Sequence, residues 1–545
     1  MGRGGGSVRT AVAVLGVAAG GRAAAATAVA GLVVASSALA ATGDLSPAGC
    51  FQDNDTGIDA CTTSVDGLNG AESVAVGGNL ASVYVAGVFD DAVVRFDRVA
   101  ATGALVARGC VDDDDTGPEG CAQTSPGLDA PRALTLSPDG RSLYAATAID
   151  DAVVRFNREA DGALVPAGCI DDEDTGPDAC AQTAPGLDEA RGIAVSPDGE
   201  SVYVVSQTDD AIVHFSRTPA TGTLQFQGCV DDNDSGPDGC ALDTDGLAGA
   251  SGVAVSHDGR SVYVGALSDH AVVAFARNPE NGALTPLGCI DDNDNGADAC
   301  AADGDGLNGA TDVQVSRDGR SVYATSQFDH AVVRFSRDSD TGALLHRGCV
   351  QDNDSGVDGC AQDGNGLAGA IALAISPDDR SVYVSGFGDD AIARLGRDPA
   401  SGILTPLGCL EDNDTGSEDC AQSADGLNAV FGIAATLDGR SLYAAARDDD
   451  ALAAFARDDS TPPQTLIAKG PTRKTRKRSA RLAFRSSEPL SRFRCRLDRG
   501  KFRSCRSPRR YRGLEPGKHT FKVRGVDPSG NQDPTPAKRR WRVEG

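Results

Sequence analysis

Hydrophobic and polar residues alternate in short runs that recur along most of the chain. Residues 251–288 show one unit of the pattern. SGVAVS is a short apolar run, and HDG is a turn, with Asp and Gly supplying the turn chemistry. RSVYVGA alternates and is β-branched. SDH turns again, AVVAFARN forms a third run, PENG turns, and ALTPLG is a fourth run whose proline suits an outer edge. The pattern predicts four short antiparallel strands per unit, joined by tight turns. Large side chains hold a fixed phase. Tyr84, Tyr144, Tyr203, Tyr263, Tyr323, Tyr383 and Tyr443 fall in second strands; Phe96, Phe156, Phe215, Phe275, Phe335, Leu395 and Phe455 fall in third strands. A fixed strand phase predicts packing between units rather than ligand contact.

Units of this kind repeat about every sixty residues, with first strands beginning near 73, 132, 192, 252, 312, 372 and 432. Four-stranded repeats with tight turns predict the blades of a seven-bladed β-propeller. The seventh unit ends at ALAAFARDDSTPP and lacks a fourth run. TGDLSPAGC, near the start, matches NGALTPLGC at the end of the fourth unit, so residues 44–49 are predicted to supply the missing strand. The expected fold is all-β: a seven-bladed propeller closed by an N-terminal strand, with no open edge between first and last blades. The segment IAVSPDGESVYV at 193–204, followed elsewhere by DDAVVRF and TGAL, resembles the YVTN-type and lactonase-like seven-bladed propellers. The resemblance covers residues 44–458. It implies the fold and offers lactone hydrolysis as an activity, but its residues are turns and core strands, and it maps no catalytic residue onto this chain.

A bare blade needs about forty residues, so each unit has an excess. It lies between the outer strand and the next inner strand, inside a Cys-x10-Cys bracket followed by a Gly-Leu pair such as Gly246-Leu247. The spacing pairs Cys50 with Cys61, Cys110 with Cys121, Cys169 with Cys180, Cys229 with Cys240, Cys289 with Cys300, Cys349 with Cys360, and Cys409 with Cys420. Two cysteines per loop and no nearby histidine make a poor zinc set, so local disulfides are expected.

All seven loops carry carboxylates in one pattern: Asp53, Asp55 and Asp59; Asp113, Asp115 and Glu119; Asp172, Asp174 and Asp178; Asp232, Asp234 and Asp238; Asp292, Asp294 and Asp298; Asp352, Asp354 and Asp358; Asp412, Asp414 and Glu418. Oxygen ligands at alternate positions around a glycine suit calcium. The likeness to helix-flanked calcium loops is partial, since Gly57 stands at the fifth position and no closing bidentate Glu is present. A solvated acidic loop held by Asx-turns is the other reading. Charge relief favours calcium: of 78 Asp and Glu, only 6 lie in residues 461–545, which hold 25 of the 50 Lys and Arg.

Near-identical repeats work against a catalytic site, so breaks in symmetry carry weight. At the turn into the third strand the units carry Asp91, Asp151, Asp210, Asp390 and Asp450, but His270 and His330 in two adjacent units. Paired imidazoles could act as acid and base; turn-capping drift explains them as well. His214, His257 and His346 have no paired context, and no nucleophile elbow, phosphate loop or zinc-binding His-Glu pattern appears.

The ends differ from the middle. Residues 1–40 read as a signal peptide: Arg3 and Arg9, an Ala/Val-rich run, then Ala38-Leu39-Ala40 as a cleavage pattern. Residues 41–458 form the propeller and 459–480 a basic linker. Residues 481–545 resemble small bacterial Ig-like sandwiches, with RYRGLEPGKHTFKVRGVD the carrying segment and Cys495–Cys505 bridging a hairpin. A secreted or envelope-associated protein is expected, with no transmembrane segment after cleavage. Its basic end would meet an anionic cell-envelope polymer or surface. A small molecule or protein would meet the propeller rim, and nucleic acid is not expected. The main functional expectation is a non-catalytic binding scaffold with calcium-stabilised loops; the alternative is a lactonase-like hydrolase of a small sugar or acid lactone.

Overall fold

The computed structural model describes residues 43–545, apart from 58–59, 79, 115–119, 174–175, 177–179, 234–238, 297–299, 357–358 and 417–419. The expected signal peptide, residues 1–40, lies outside the described residues. Every regular element among them is a strand.

Each repeat builds one sheet, and the sheets correct the expected blade. In the fourth, Ala250–Val255, Ser261–Ala266, Ala271–Arg277 and Leu284–Asp292 pair antiparallel in chain order. A fifth strand, Ala302–Gly304, then pairs parallel to the fourth. The other repeats add the same short strand, so the four-stranded, wholly antiparallel unit expected from the sequence is instead a five-stranded mixed sheet. The disulfide causes the difference. Cys289–Cys300 folds the acidic loop back so that the chain leaving it lies beside the strand that entered it, a solenoid-like parallel return inside each repeat. Such strands are too short and polar to show a period of two.

The seventh sheet takes two strands from the start of the chain. Leu45–Asp53 pairs antiparallel with Ala451–Arg457, from Leu45↔Arg457 to Gln52↔Ala451, and Thr63–Val65 pairs parallel beyond it. The borrowed strand is longer than residues 44–49. Neighbouring sheets share no backbone ladder and meet through side chains. The innermost strands of all seven line one central channel, and that of the first sheet packs against that of the seventh.

One contact repeats around this ring. In the fifth sheet, Arg337 Nε donates to the Tyr263 hydroxyl of the fourth (2.8 Å), while its Nη2 reaches Asp258 and Ser261 there (3.0 and 2.9 Å). Tyr263 in turn donates to the Gly342 carbonyl (2.7 Å). The contact that joins last sheet to first is the same: Arg98 Nε to Tyr443 (2.9 Å), and Tyr443 to the Gly103 carbonyl (2.8 Å). Where Leu45–Asp53 is borrowed, Tyr383 donates to the Gly43 carbonyl (2.7 Å). The seven tyrosines are fully buried, as their fixed phase predicts.

All eight expected disulfides are present. The glycine of each Gly-Leu pair packs beside the next repeat's disulfide: a Cβ on Gly246, whose φ is +90°, would come within 2.8 Å of the Cys289 Cβ.

After the ring, Thr465–Lys469, Ser479–Ser486 and Arg509–Arg512 form one sheet. Lys474–Thr475, Ala537–Val543, Gly517–Val526, Arg492–Leu497 and Arg503–Cys505 form a second. Leu482, Phe484, Phe521, Val523 and Trp541 fill the core between them. Two of these strands lie within 459–480, the stretch read as a linker, because Ile467 packs on that core.

Tyr263→Phe is expected to destabilise the protein by about 1–3 kcal/mol, the cost of a buried guanidinium and carbonyl losing one partner each. Tyr443→Phe should cost as much if the joining contact is equivalent to the rest. Chemical denaturation measures both, and a stability unchanged in both variants would remove the clamp from the account.

Candidate active site

The residues singled out from sequence fall in two places, and neither is the channel. The first carboxylate of each acidic loop is buried: Asp53, Asp113, Asp172, Asp232, Asp292, Asp352 and Asp412. Each accepts at Oδ2 the N–H of the leucine in the following Gly-Leu pair, at 2.9–3.2 Å. Asp53 Oδ1 also accepts from the N–H groups of Asp55 (2.9 Å) and Thr56 (3.2 Å), and Asp292, Asp352 and Asp412 repeat that bond pair. This is an Asx-turn, so these aspartates organise the loop backbone. The second carboxylates Asp55, Asp294, Asp354 and Asp414 are exposed. Asp59, Asp115, Glu119, Asp174, Asp178, Asp234, Asp238, Asp298, Asp358 and Glu418 lie outside the described residues, so no complete ligand set is assembled among those that are described.

His270 and His330 occupy a left-handed turn position, with φ of 55° and 54°. The aspartates that replace them elsewhere have φ of 49–52°. In those sheets Oδ1 accepts a backbone N–H of the next repeat, as Asp210 does from Gly249 (2.6 Å). Here Nδ1 accepts instead, His270 from Gly309 (2.9 Å) and His330 from Gly369 (2.8 Å). An accepting Nδ1 places the ring proton on Nε2. Burial lowers both imidazoles below the usual histidine value. Neither ring lines the channel.

The channel holds the break in symmetry that the repeat pattern hides. The second residue of the innermost strand is, in order, Glu72, Arg132, Arg191, Ser251, Thr311, Ile371 and Phe431, and all seven face one cavity of about 480 Å³. Aligning the repeats exposes this position, because the residue before it is Ala in five of the seven and the position itself differs in nearly all.

The cavity has three arcs. One is ionic. Arg132 Nη1 donates to Glu72 Oε1 (2.7 Å), and Arg447 Nη1 lies 3.7 Å from the same oxygen. Arg191 Nη2 donates to Glu189 Oε1 (2.5 Å); burial works against the Glu189 charge, but Arg191 outweighs it and holds the carboxyl low. The second arc is apolar: Ile371 and Phe387, with Phe431 beneath the Arg447 guanidinium at 4.0 Å. The third is neutral and polar, with Ser251, Thr311, Gln314 and Gln327. Thr311 Oγ1 donates to the Ile371 carbonyl (2.9 Å) and thereby faces its own sheet's neighbour.

Asp312 stands in this third arc. Its Oδ2 accepts the Leu373 N–H of the next sheet (3.0 Å) and its Oδ1 the Val313 N–H (2.7 Å). Burial outweighs these bonds and pushes the carboxyl up to about 6. This raised carboxyl and the guanidiniums of the first arc line the same cavity, so a titratable group and cationic groups share one cleft.

Residues 111–295 match the family described as "Lactonase, 7-bladed beta-propeller". That is about a third of the chain. The matched residues of this lactonase-like region include Arg132 and Arg191. Among solved structures, a putative 6-phosphogluconolactonase from Bacteroides uniformis is 18% identical, covering 64% of this chain and 85% of that one with a TM-score of 0.48. The periplasmic gluconolactonase of Pseudomonas aeruginosa is 19% identical, covering 66% and 88%, with a TM-score of 0.46. None of the curated proteins compared with the chain matches it.

The lowered imidazoles predict a pH dependence. A histidine whose folded value lies below its unfolded value of about 6.5 stabilises the fold above that value, and the contribution is lost as pH falls through the folded value. The melting temperature should therefore drop between pH 7.5 and 5. His270→Asp/His330→Asp, which restores the residue of the other repeats, should show a smaller drop in scanning calorimetry. An equal drop would mean that the two rings do not carry the effect.

Proposed function

We propose that the chain is a lactone hydrolase that opens a small sugar or acid lactone at the channel mouth. The observation that carries this reading is the asymmetric mouth, where Arg132, Arg191 and Arg447 share a cavity with the raised carboxyl of Asp312. The lactonase-family match over residues 111–295 supports it. The expectation of a non-catalytic scaffold drew on the sameness of the repeats, and the mouth does not share that sameness.

In this reading the guanidiniums receive an anionic group on the substrate, and Phe387 and Phe431 cover its apolar side. Asp312 in its carboxylate form takes a proton from water as the water oxygen attacks the lactone carbonyl. The ring C–O bond then breaks, the departing oxygen takes up a proton, and the product is the open hydroxy acid.

Asp312→Asn should lower kcat/KM for an acidic sugar lactone by about 100-fold or more. Wild-type kcat/KM should rise with pH through about 6 and then level off, because the base must be ionised. His270→Ala/His330→Ala should leave turnover unchanged where the protein remains folded. Hydrolysis that survives Asp312→Asn would overturn the assignment of the base, and no hydrolysis across a panel of lactones would overturn the function.

We also assign the C-terminal sheet the role of an envelope anchor. Its register sets Arg494 opposite Arg524, Arg496 opposite Lys522, and Lys522 opposite Lys538, with their partners in the core on the other face. Cations in such register repel one another until an anionic polymer neutralises them. Binding of the protein to anionic wall polymer should weaken steeply between 50 and 500 mM salt. Salt-independent binding would contradict the anchor.

A further inference from the structure

Where the ring ends and the C-terminal sandwich begins, three carboxylates converge. Asp459 follows the last ring strand, Ala451–Arg457; Glu488 follows Ser479–Ser486; and Asp527 follows Gly517–Val526. One oxygen from each lies within 4.8 Å of the other two. Glu488 is 8% exposed and Asp527 4%. Asp527 Oδ1 is fixed by the Asn531 N–H (2.7 Å), but its Oδ2 is buried with no hydrogen-bond donor. The surrounding backbone is ordered around the cluster: Asn531 Nδ2 donates to the Asp459 carbonyl (2.8 Å), and Arg440 Nη2 donates to the Pro528 carbonyl.

Convergent buried carboxylates need a proton or a cation. Arg457 is the guanidinium that acts on them, and it is already forked onto Asp378 (both oxygens at 3.1 Å) and bonded to Tyr383 (2.8 Å). Burial, with Asp459 and Asp527 alongside, pushes Glu488 up to about 8.

We propose that Asp459, Glu488 and Asp527 bind calcium and that the ion fastens the C-terminal sandwich to the last strand of the ring. Three carboxylates and no nitrogen or sulfur donor make a hard-cation set. Calcium accepts several protein oxygens in irregular geometry, whereas magnesium keeps most of its waters and demands an octahedron. The site shares no residue with the channel mouth or with the seven acidic loops, so its fate is independent of lactone hydrolysis.

The test uses the full chain, stripped with chelator and titrated with calcium chloride by calorimetry, as wild type and as Glu488→Gln/Asp527→Asn. The double variant should lose one equivalent of calcium binding, whatever the acidic loops contribute in both proteins. The signs of the melting shifts should also cross. In chelator at pH 9, where Glu488 is ionised, the variant should melt higher than wild type, because two like charges are gone. In calcium the wild type should gain more than the variant. Identical isotherms together with identical calcium shifts would overturn the proposal. Should the double variant not fold, Asp527→Asn alone is read by the same two criteria, and an unchanged calcium stoichiometry there overturns it too.

Discussion

Seven sheets that share no backbone ladder stay together because a guanidinium of each one is used up on the sheet before it. Arg277, for instance, reaches Tyr203, Asp198 and Ser201 of the preceding sheet, and the Tyr203 hydroxyl donates a hydrogen bond to the Gly282 carbonyl. Six of the seven arginines are buried, so their charge must be met by the carboxylate and hydroxyls they touch; Arg158 is half-buried and bonds the Tyr84 and Ser82 hydroxyls. That need ties a turn, a second strand and a third strand to one geometry in every repeat. It also gives the borrowed strand a second duty: Tyr383, which accepts from Arg457, donates to the Gly43 carbonyl just before Leu45–Asp53.

The opposite side of each sheet is held by a second module, built from the acidic loop. The disulfide turns the chain back, the first aspartate caps the turn, and its other oxygen takes the leucine N–H where the next inner strand begins. A loop with little core of its own is thereby closed by one covalent bond and several charge-assisted hydrogen bonds. The first carboxylate of each loop is thus spent on backbone donors.

The repeat, the borrowed strand, the buried aromatics and every disulfide were legible in the sequence because each follows from spacing or phase. The fifth strand was not, because three polar residues such as Gln362–Gly364 have no periodicity to read and pair across the loop that Cys349–Cys360 closes. The channel residues were missed for a different reason. Glu72, Arg132 and Phe431 each look like an ordinary substitution within one repeat, and only the ring brings them around one cavity. His270 and His330 looked distinctive, yet each does the work of the aspartate it replaces, supplying an acceptor to a glycine N–H.

These assignments separate constraint from freedom. A residue that clamps a neighbour or caps a loop must recur seven times, since every interface needs it. The second position of the inner strand has no such duty: it is a bulge with no ladder partner in every sheet, and its side chain faces the channel, so the ladder does not restrict what stands there. Asp312 sits beside that position, and its bond to the Leu373 N–H replaces one that Ser73 makes to Leu134 between the first two sheets. A carboxyl can therefore enter the channel there without leaving a backbone donor unmet. A repeated scaffold acquires a single asymmetric site at the few positions where its own assembly makes no demand.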